Sequence, residues 1–358
     1  MLDPELKQWL DAQANALDLG TCDAELVLPQ LAGADVLRVG ISEELGGGGG
    51  NLADAVEIVS QVASHSLAAA FVFWGQRAFI EYLLHSPNVA LREHLLPDLL
   101  SGRLAGATGL SNAMKFLSGI EALQIRARSQ DQGWTLNGRL PWVTNLRKSG
   151  YVVAAAIEQE EGGAPFILAI SDAVAGLQRS DDLDLMGLQS SNTAALSLEN
   201  VALSRDWLLH DDARTFLPTV RPAFLGLQCG LAIGLARRSL AEVNTHLEDS
   251  RSVLRGELVE QRQQLEAAVD QLKQGLLDQR FLTQPAALFR LRIALAESAA
   301  SAVQLELQAS GGKAFLSAHG SAFARRWRES AFVPIITPSL VQLRGELQRQ
   351  AQASVTAA

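Results

Sequence analysis

The sequence predicts an α+β chain: a helical N-terminal domain (residues 1–105), a middle β-barrel or sheet domain (106–208) and a C-terminal helical bundle (209–358). Three observations carry this prediction. Apolar residues recur at mixed three and four spacing before residue 105, short alternating runs fill the middle, and long leucine-bearing segments follow. The 358 residues are 48% apolar with few aromatics, enough for a large aliphatic core.

In the first part, "LADAVEIVSQVASHSLAAAFVFWGQRAFIEYLL" reads as a well-buried helical pair. The run "ELGGGGGN" (44–51) before it reads, from its glycines alone, as a flexible linker. In the middle, "EALQIRARS", "GWTLNGRLPWVTN", "YVVAAAIE", "PFILAIS" and "TAALSLENVAL" are separated by Gly, Asn, Asp and Ser clusters, as in a compact antiparallel sheet or barrel. Asn137-Gly138 gives a turn signal inside the second of these, and Trp142 beyond it looks like a buried strand residue. In the last part, Leu254, Leu258, Leu265, Val269, Leu272 and Leu276 form a seam that needs a partner helix, in this subunit or in another.

Charge and cysteine usage exclude several classes. A net charge of −9 argues against a dedicated nucleic-acid surface. Cys22 and Cys229 supply neither a disulfide framework nor metal-ligand spacing. The apolar run at 223–236 is too short to span a bilayer, and "MLDPELKQWLDAQ" lacks the features of a signal peptide. These features predict a soluble protein of a reducing compartment, most simply cytoplasmic, with no membrane or nucleic-acid partner. The six histidines are scattered; only His65 and His319 fall near segments that could line a pocket. Glu329, after Arg328, reads as an ion-pair or helix-end residue.

Five motifs in order, over residues 40–345, resemble the acyl-CoA dehydrogenase family of flavoproteins. They are "EHLLPDLLSGRLAGATGLSN" (93–112), "GWTLNGRLPWVTN" (133–145), "LDLMGLQSSNTAALSLENVALSRDWLL" (183–209), "QASGGKAF" (308–315) and "RRWRESAFVPIITPSLVQLR" (325–344). The resemblance implies the fold, an FAD cofactor (with FMN possible), an acyl-thioester or other hydrophobic substrate, and a homodimer or homotetramer. It places Trp142 against one face of the flavin ring and Thr144 within hydrogen-bonding reach of it. Leu110 and Ser111 take the positions that meet the flavin pyrimidine, and Arg251 the position that meets the diphosphate of a neighbouring subunit's FAD. Gln308, Gly311 and Gly312 match the loop near the adenosine half, and Ser339 the cofactor contact close to the C-terminus.

The resemblance fails where the chemistry is most demanding. The family's usual catalytic glutamate aligns with Thr337, and the alternative glutamate position with Val220 or Phe224. None of these can take the substrate α-proton at ordinary pKa. "AMKFLS" replaces the glycine-serine-aspartate loop that holds acyl-CoA, and Gln189 replaces an arginine. The sequence therefore predicts a flavin-dependent oxidoreductase of this type without its usual base. A reduced-flavin monooxygenase on the same fold and a catalytically silent acyl- or flavin-binding homologue are the alternatives.

Overall fold

The computed structural model describes residues 2–117, 119, 121–247 and 249–356. The N-terminal part holds α1 (Pro4–Leu19), α2 (Val27–Gly33), α3 (Leu52–Ala63), α4 (Leu67–His85) and α5 (Val89–Leu100). Helix α1 starts where the Asp3 side chain accepts from the Glu5 and Leu6 amides, and ends at Gly20, whose φ of 73° lies in the left-handed region that favours glycine. Helix α4 is apolar on every side and lies in the middle of the core; Leu67 through Leu83 are buried without a break.

The glycine run is not a flexible linker. The Gly40 amide donates to Gly49 O at 2.8 Å, the Gly49 amide to Ile41 O at 2.9 Å and the Gly48 amide to Arg38 O at 2.9 Å, folding the run into a closed loop. Packing demands glycine here: a Cβ on Gly47 would lie 2.1 Å from Ile41 O. The loop ends on Asn51, which forms a reciprocal capping box with Asp54 and so begins α3.

The middle part contains β1 (Ala105–Thr108), α6 (Ser111–Leu117), β2 (Ile125–Gln130), β3 (Gly133–Val143), β4 (Tyr151–Gln159), β5 (Phe166–Ser171), β6 (Leu177–Arg179), β7 (Ala194–Ser204) and β8 (Leu208–His210). The strands form one sheet in the order β6-β7-β3-β2-β4-β5-β8, with β1 paired to β4. It is mixed rather than antiparallel throughout, because β1 and β2 each run parallel to β4. Asn137-Gly138 is not a hairpin turn: β3 continues through it, and Gly138 passes so close to β2 that a Cβ would lie 2.2 Å from Gln124 O.

The C-terminal part comprises α7 (Ala213–Thr245), α8 (Arg255–Leu277), α9 (Arg280–Thr283), α10 (Pro285–Ser310), α11 (Ser321–Phe332) and α12 (Leu340–Thr356). The apolar run at 223–236 is the middle of the 33-residue α7, so its helix is longer than the run. Helices α4 and α7 are long and apolar enough to cross a bilayer, but 94% and 89% of their most apolar windows are buried inside the protein. The predicted seam finds its partners within the chain: Leu258, Leu265, Val269, Leu272 and Leu276 are buried, and α8 packs on α7, α10 and α3.

Candidate functional site

A β-bulge builds the first wall. Leu140 pairs with Leu196 and Val143 with Ala194, so β3 spends three steps where β7 spends two. Pro141, which has no amide to give a ladder, sits at this irregularity. The extra residue restores Val143 to the core and turns Trp142 outward, leaving it 61% exposed. The expectation that Trp142 is buried is thus reversed, and its indole faces a cleft.

That cleft has a volume of about 270 Å³, just under the roughly 300–1,000 Å³ of ordinary ligand pockets. Thr108, Trp142, Thr144 and Thr193 face it from the sheet, and Ser111 and Lys115 from α6. Its floor is Phe71 stacked on Trp74 (centroids 5.3 Å apart, planes within 2°), and Phe332 meets Phe71 edge-on at 5.0 Å. Ile335, Ile336 and Thr337 cover it from the segment between α11 and α12.

Polar groups in the cleft are few and fixed. Thr144 Oγ1 lies 3.2 Å from Thr193 Oγ1, which is itself 2.8 Å from Ser191 Oγ. Tyr82 Oη bonds Thr108 Oγ1 at 2.8 Å, and burial pushes the Tyr82 phenol far above its ordinary range, keeping it neutral. At the rim, Lys115 donates to Glu121 at 2.7 Å, and that hydrogen bond holds the Glu121 carboxyl below its ordinary range. Behind the sheet wall, buried Asn145 donates from Nδ2 to Gln76 Oε1 at 2.8 Å and to Gly106 O at 2.9 Å. Gln76 in turn donates to Leu99 O and Leu104 O, tying β1, β3 and α5 together. Gln76 and Asn145 were not singled out in the sequence, because two separated amides have no spacing signature.

The structure brings Ser111, Trp142, Thr144 and Thr337 to one cleft. Leu110 is fully buried directly before Ser111, at the entry to α6. Gln308 lines a different cavity, and Gly311 caps α10 with a φ of 65°. A Cβ on Gly312 would meet nothing within 4 Å, so the packing of this chain does not require glycine there. Ser339 sits before α12, where its amide donates to Gln342 Oε1 at 2.6 Å. The backbone of Arg251 lies in the turn Asp249–Leu254, and its side chain lies outside the described residues.

Neither histidine near the pocket segments reaches the cleft. His65 Nδ1 lies 2.7 Å from Asp11 Oδ1 on α1, and His319 is exposed in the loop before α11. Glu329 does accept from Arg325 (2.8 Å) and from the Leu67 amide at the start of α4 (3.1 Å). Val220 and Phe224 are fully buried, the latter 5.1 Å from the Trp74 ring. Gln189 donates to Asp184 Oδ1 at 3.0 Å and to Leu185 O, holding the loop that carries Leu185 into the cleft.

An aromatic wall, a few fixed hydroxyls and apolar covers fit a flat heteroaromatic ring, and the isoalloxazine of a flavin is of that kind. The class is therefore a helical–sheet–helical scaffold with a cleft between its central sheet and its C-terminal helices.

The family model for the acyl-CoA dehydrogenase N-terminal domain matches residues 4–103. Mitochondrial isovaleryl-CoA dehydrogenase of Pongo abelii is 26% identical over 178 residues, 48% of this chain and 41% of that protein. Mitochondrial short-chain specific acyl-CoA dehydrogenase of Homo sapiens is 25% identical over 225 residues, 61% of this chain and 52% of that protein. The matches thus span about half the length of these relatives. Butyryl-CoA dehydrogenase from Megasphaera elsdenii superposes with a TM-score of 0.84 at 17% identity, over 97% of this chain and 95% of that one. KijD3, solved with FMN and a dTDP-amino-keto sugar, superposes at 0.77 and 17% identity, over 98% and 91%. Residues 4–103 thus match the N-terminal domain of the acyl-CoA dehydrogenase family, and the whole chain has the acyl-CoA dehydrogenase fold.

Proposed function

We propose that this protein is a flavin-dependent oxidoreductase that oxidises a carbon–carbon single bond of an acyl thioester, with FAD, or secondarily FMN, as hydride acceptor. The observation that carries the proposal is the outward-turned indole of Trp142 on the wall of a cleft otherwise lined by hydroxyls, apolar side chains and, at its rim, Lys115. Exposing so large an apolar ring costs hydration free energy that a stacked planar ligand recovers. In this reading Trp142 supports one face of the ring, Thr144 and Ser111 offer hydrogen bonds at its edge, and Phe332, Ile335 and Ile336 exclude water. Leu110 contributes backbone, while Arg251, Gln308, Gly311, Gly312 and Ser339 belong to the parts that meet the remainder of the dinucleotide. When bound, the flavin supplies the electron-accepting ring.

No Asp, Glu or His is found among the described residues that line the cleft. Thr337 stands at the place the resemblance gives to the proton acceptor, and a threonine hydroxyl cannot act as a general base near neutral pH. That absence favours a second reading, a monooxygenase using reduced flavin, in which the cofactor adduct and not a carboxylate does the chemistry. A silent flavin- or acyl-binding homologue is the third. A homodimer or homotetramer and a cytoplasmic location belong to the same proposal. Exposed Phe315 and Trp327, which line a groove of about 460 Å³ beside α11, support association.

The test is a visible spectrum of the purified protein. Bands of bound flavin bleached anaerobically by one of a panel of acyl-CoA thioesters support the dehydrogenase. Tighter binding of reduced flavin, with oxygen uptake, supports the monooxygenase. Protein that ignores both FAD and FMN defeats both readings.

A further inference from the structure

Arg292, on α10, is fully buried, and burial pushes its guanidinium pKa down. No carboxylate pairs with it among the described residues. Instead Arg292 Nε donates to Gln228 Oε1 at 2.7 Å, and Nη2 to Val333 O at 2.8 Å. Gln228, on α7 and also fully buried, turns its amide nitrogen the other way and donates to Thr337 O at 3.0 Å. A buried cation without a counter-ion is costly, and an apolar side chain of similar volume would cost the core less. What this arrangement provides is directional: two donors reach the two ends of the segment 333–337 that covers the cleft, and a third, Arg292 Nε, ties Gln228 to Arg292. A guanidinium reaches two acceptors on separate elements in fixed geometry, which a lysine cannot do.

We propose that Arg292 is a positioning residue for the cleft. It holds Val333 directly and Thr337 through Gln228, fixing how far Ile335 and Ile336 stand from the Trp142 wall. The consequence for cofactor affinity rests on the flavin reading given above; the restraint on the segment does not.

Gln228→Glu separates positioning from stability. It gives Arg292 the carboxylate it lacks, while deleting the donor to the Thr337 carbonyl. A nitroxide attached at Ile335→Cys, in a Cys22→Ser background with Cys229 buried, reports motion of the segment by its spin-label spectrum. The expected result is a more mobile label in Gln228→Glu and in Arg292→Gln, with the Tm of Gln228→Glu unchanged or raised. In the unlabelled proteins, FAD affinity should fall by about three- to tenfold, the size of one lost buried hydrogen bond. Label spectra like the parent's in folded Gln228→Glu would overturn the proposal and leave Arg292 a packing residue. Should Arg292→Gln fail to fold, Gln228→Glu alone decides. If the parent protein binds neither FAD nor FMN, the flavin reading fails, while the label spectra still test the restraint.

Discussion

At the scale of single residues, Trp142 bears most of the functional argument. Its exposure comes from a one-residue mismatch between β3 and β7, so the side chain contributes little to the folded core. Trp142→Ala should therefore change stability by no more than about 0.5 kcal/mol. FAD affinity, read from quenching of flavin fluorescence, should fall by about 1 kcal/mol or more. An unchanged dissociation constant would remove the indole from the site. The hydroxyl of Thr144 is held differently, by Thr193 and through it Ser191, so its direction is set before any ligand arrives.

At the scale of elements, the glycine loop and the ion pairs around α3 show how local chemistry sets the frame. Gly47→Ala forces a Cβ onto the Ile41 carbonyl, and should destabilise the protein by about 1–3 kcal/mol in urea unfolding. A neutral result would mean that the loop yields as a linker does. Glu57 on α3 accepts from Lys273 on α8 (2.8 Å) and from Arg237 on α7 (2.9 Å). Burial alone would raise its carboxyl, but hydrogen bonds from Lys273 and Arg237 and the Arg237 charge bring it down to about 2. A carboxyl lowered by folding stabilises the native state above its unfolded value, near 4.3, and loses that contribution as pH falls toward 2. Glu57→Gln should therefore flatten the fall in Tm between about pH 5 and pH 2 while lowering Tm at neutral pH. Parallel pH profiles for the two proteins would show that the cluster does not couple to folding.

At the scale of the whole molecule, buried polar contacts join parts that are far apart in sequence. Asp18 on α1 accepts from Arg328 on α11 and from the Leu188 amide in the middle part; Glu306 on α10 accepts from Arg326 on α11. The leucine seam of α8 is consumed inside the chain, so that helix is a core element. Leu272→Ala should cost about 2–5 kcal/mol, independent of protein concentration in chemical denaturation. A loss that grows on dilution would place the seam between subunits. Any assembly must use other surfaces, and exposed Phe315 and Trp327 are candidates.

Periodicity was enough to determine the order helical, sheet, helical, because burying one face of a helix or strand imposes a spacing visible in one dimension. The ordered motifs carried the resemblance, and it is the resemblance that puts Thr337 at the usual carboxylate position and Val220 or Phe224 at the alternative one. Glycine content alone misread residues 44–51, since the same residue serves a mobile segment and a closed loop. Asn137-Gly138 misled for a related reason: glycine also marks a strand crossing close to its neighbour. The outward turn of Trp142 depends on a pairing register between β3 and β7, and the link from Arg292 through Gln228 to Thr337 joins residues 64 and 109 positions apart. Register and long-range hydrogen bonds arise only when separate segments pack, which is why the tertiary structure alone decided the shape of the cleft.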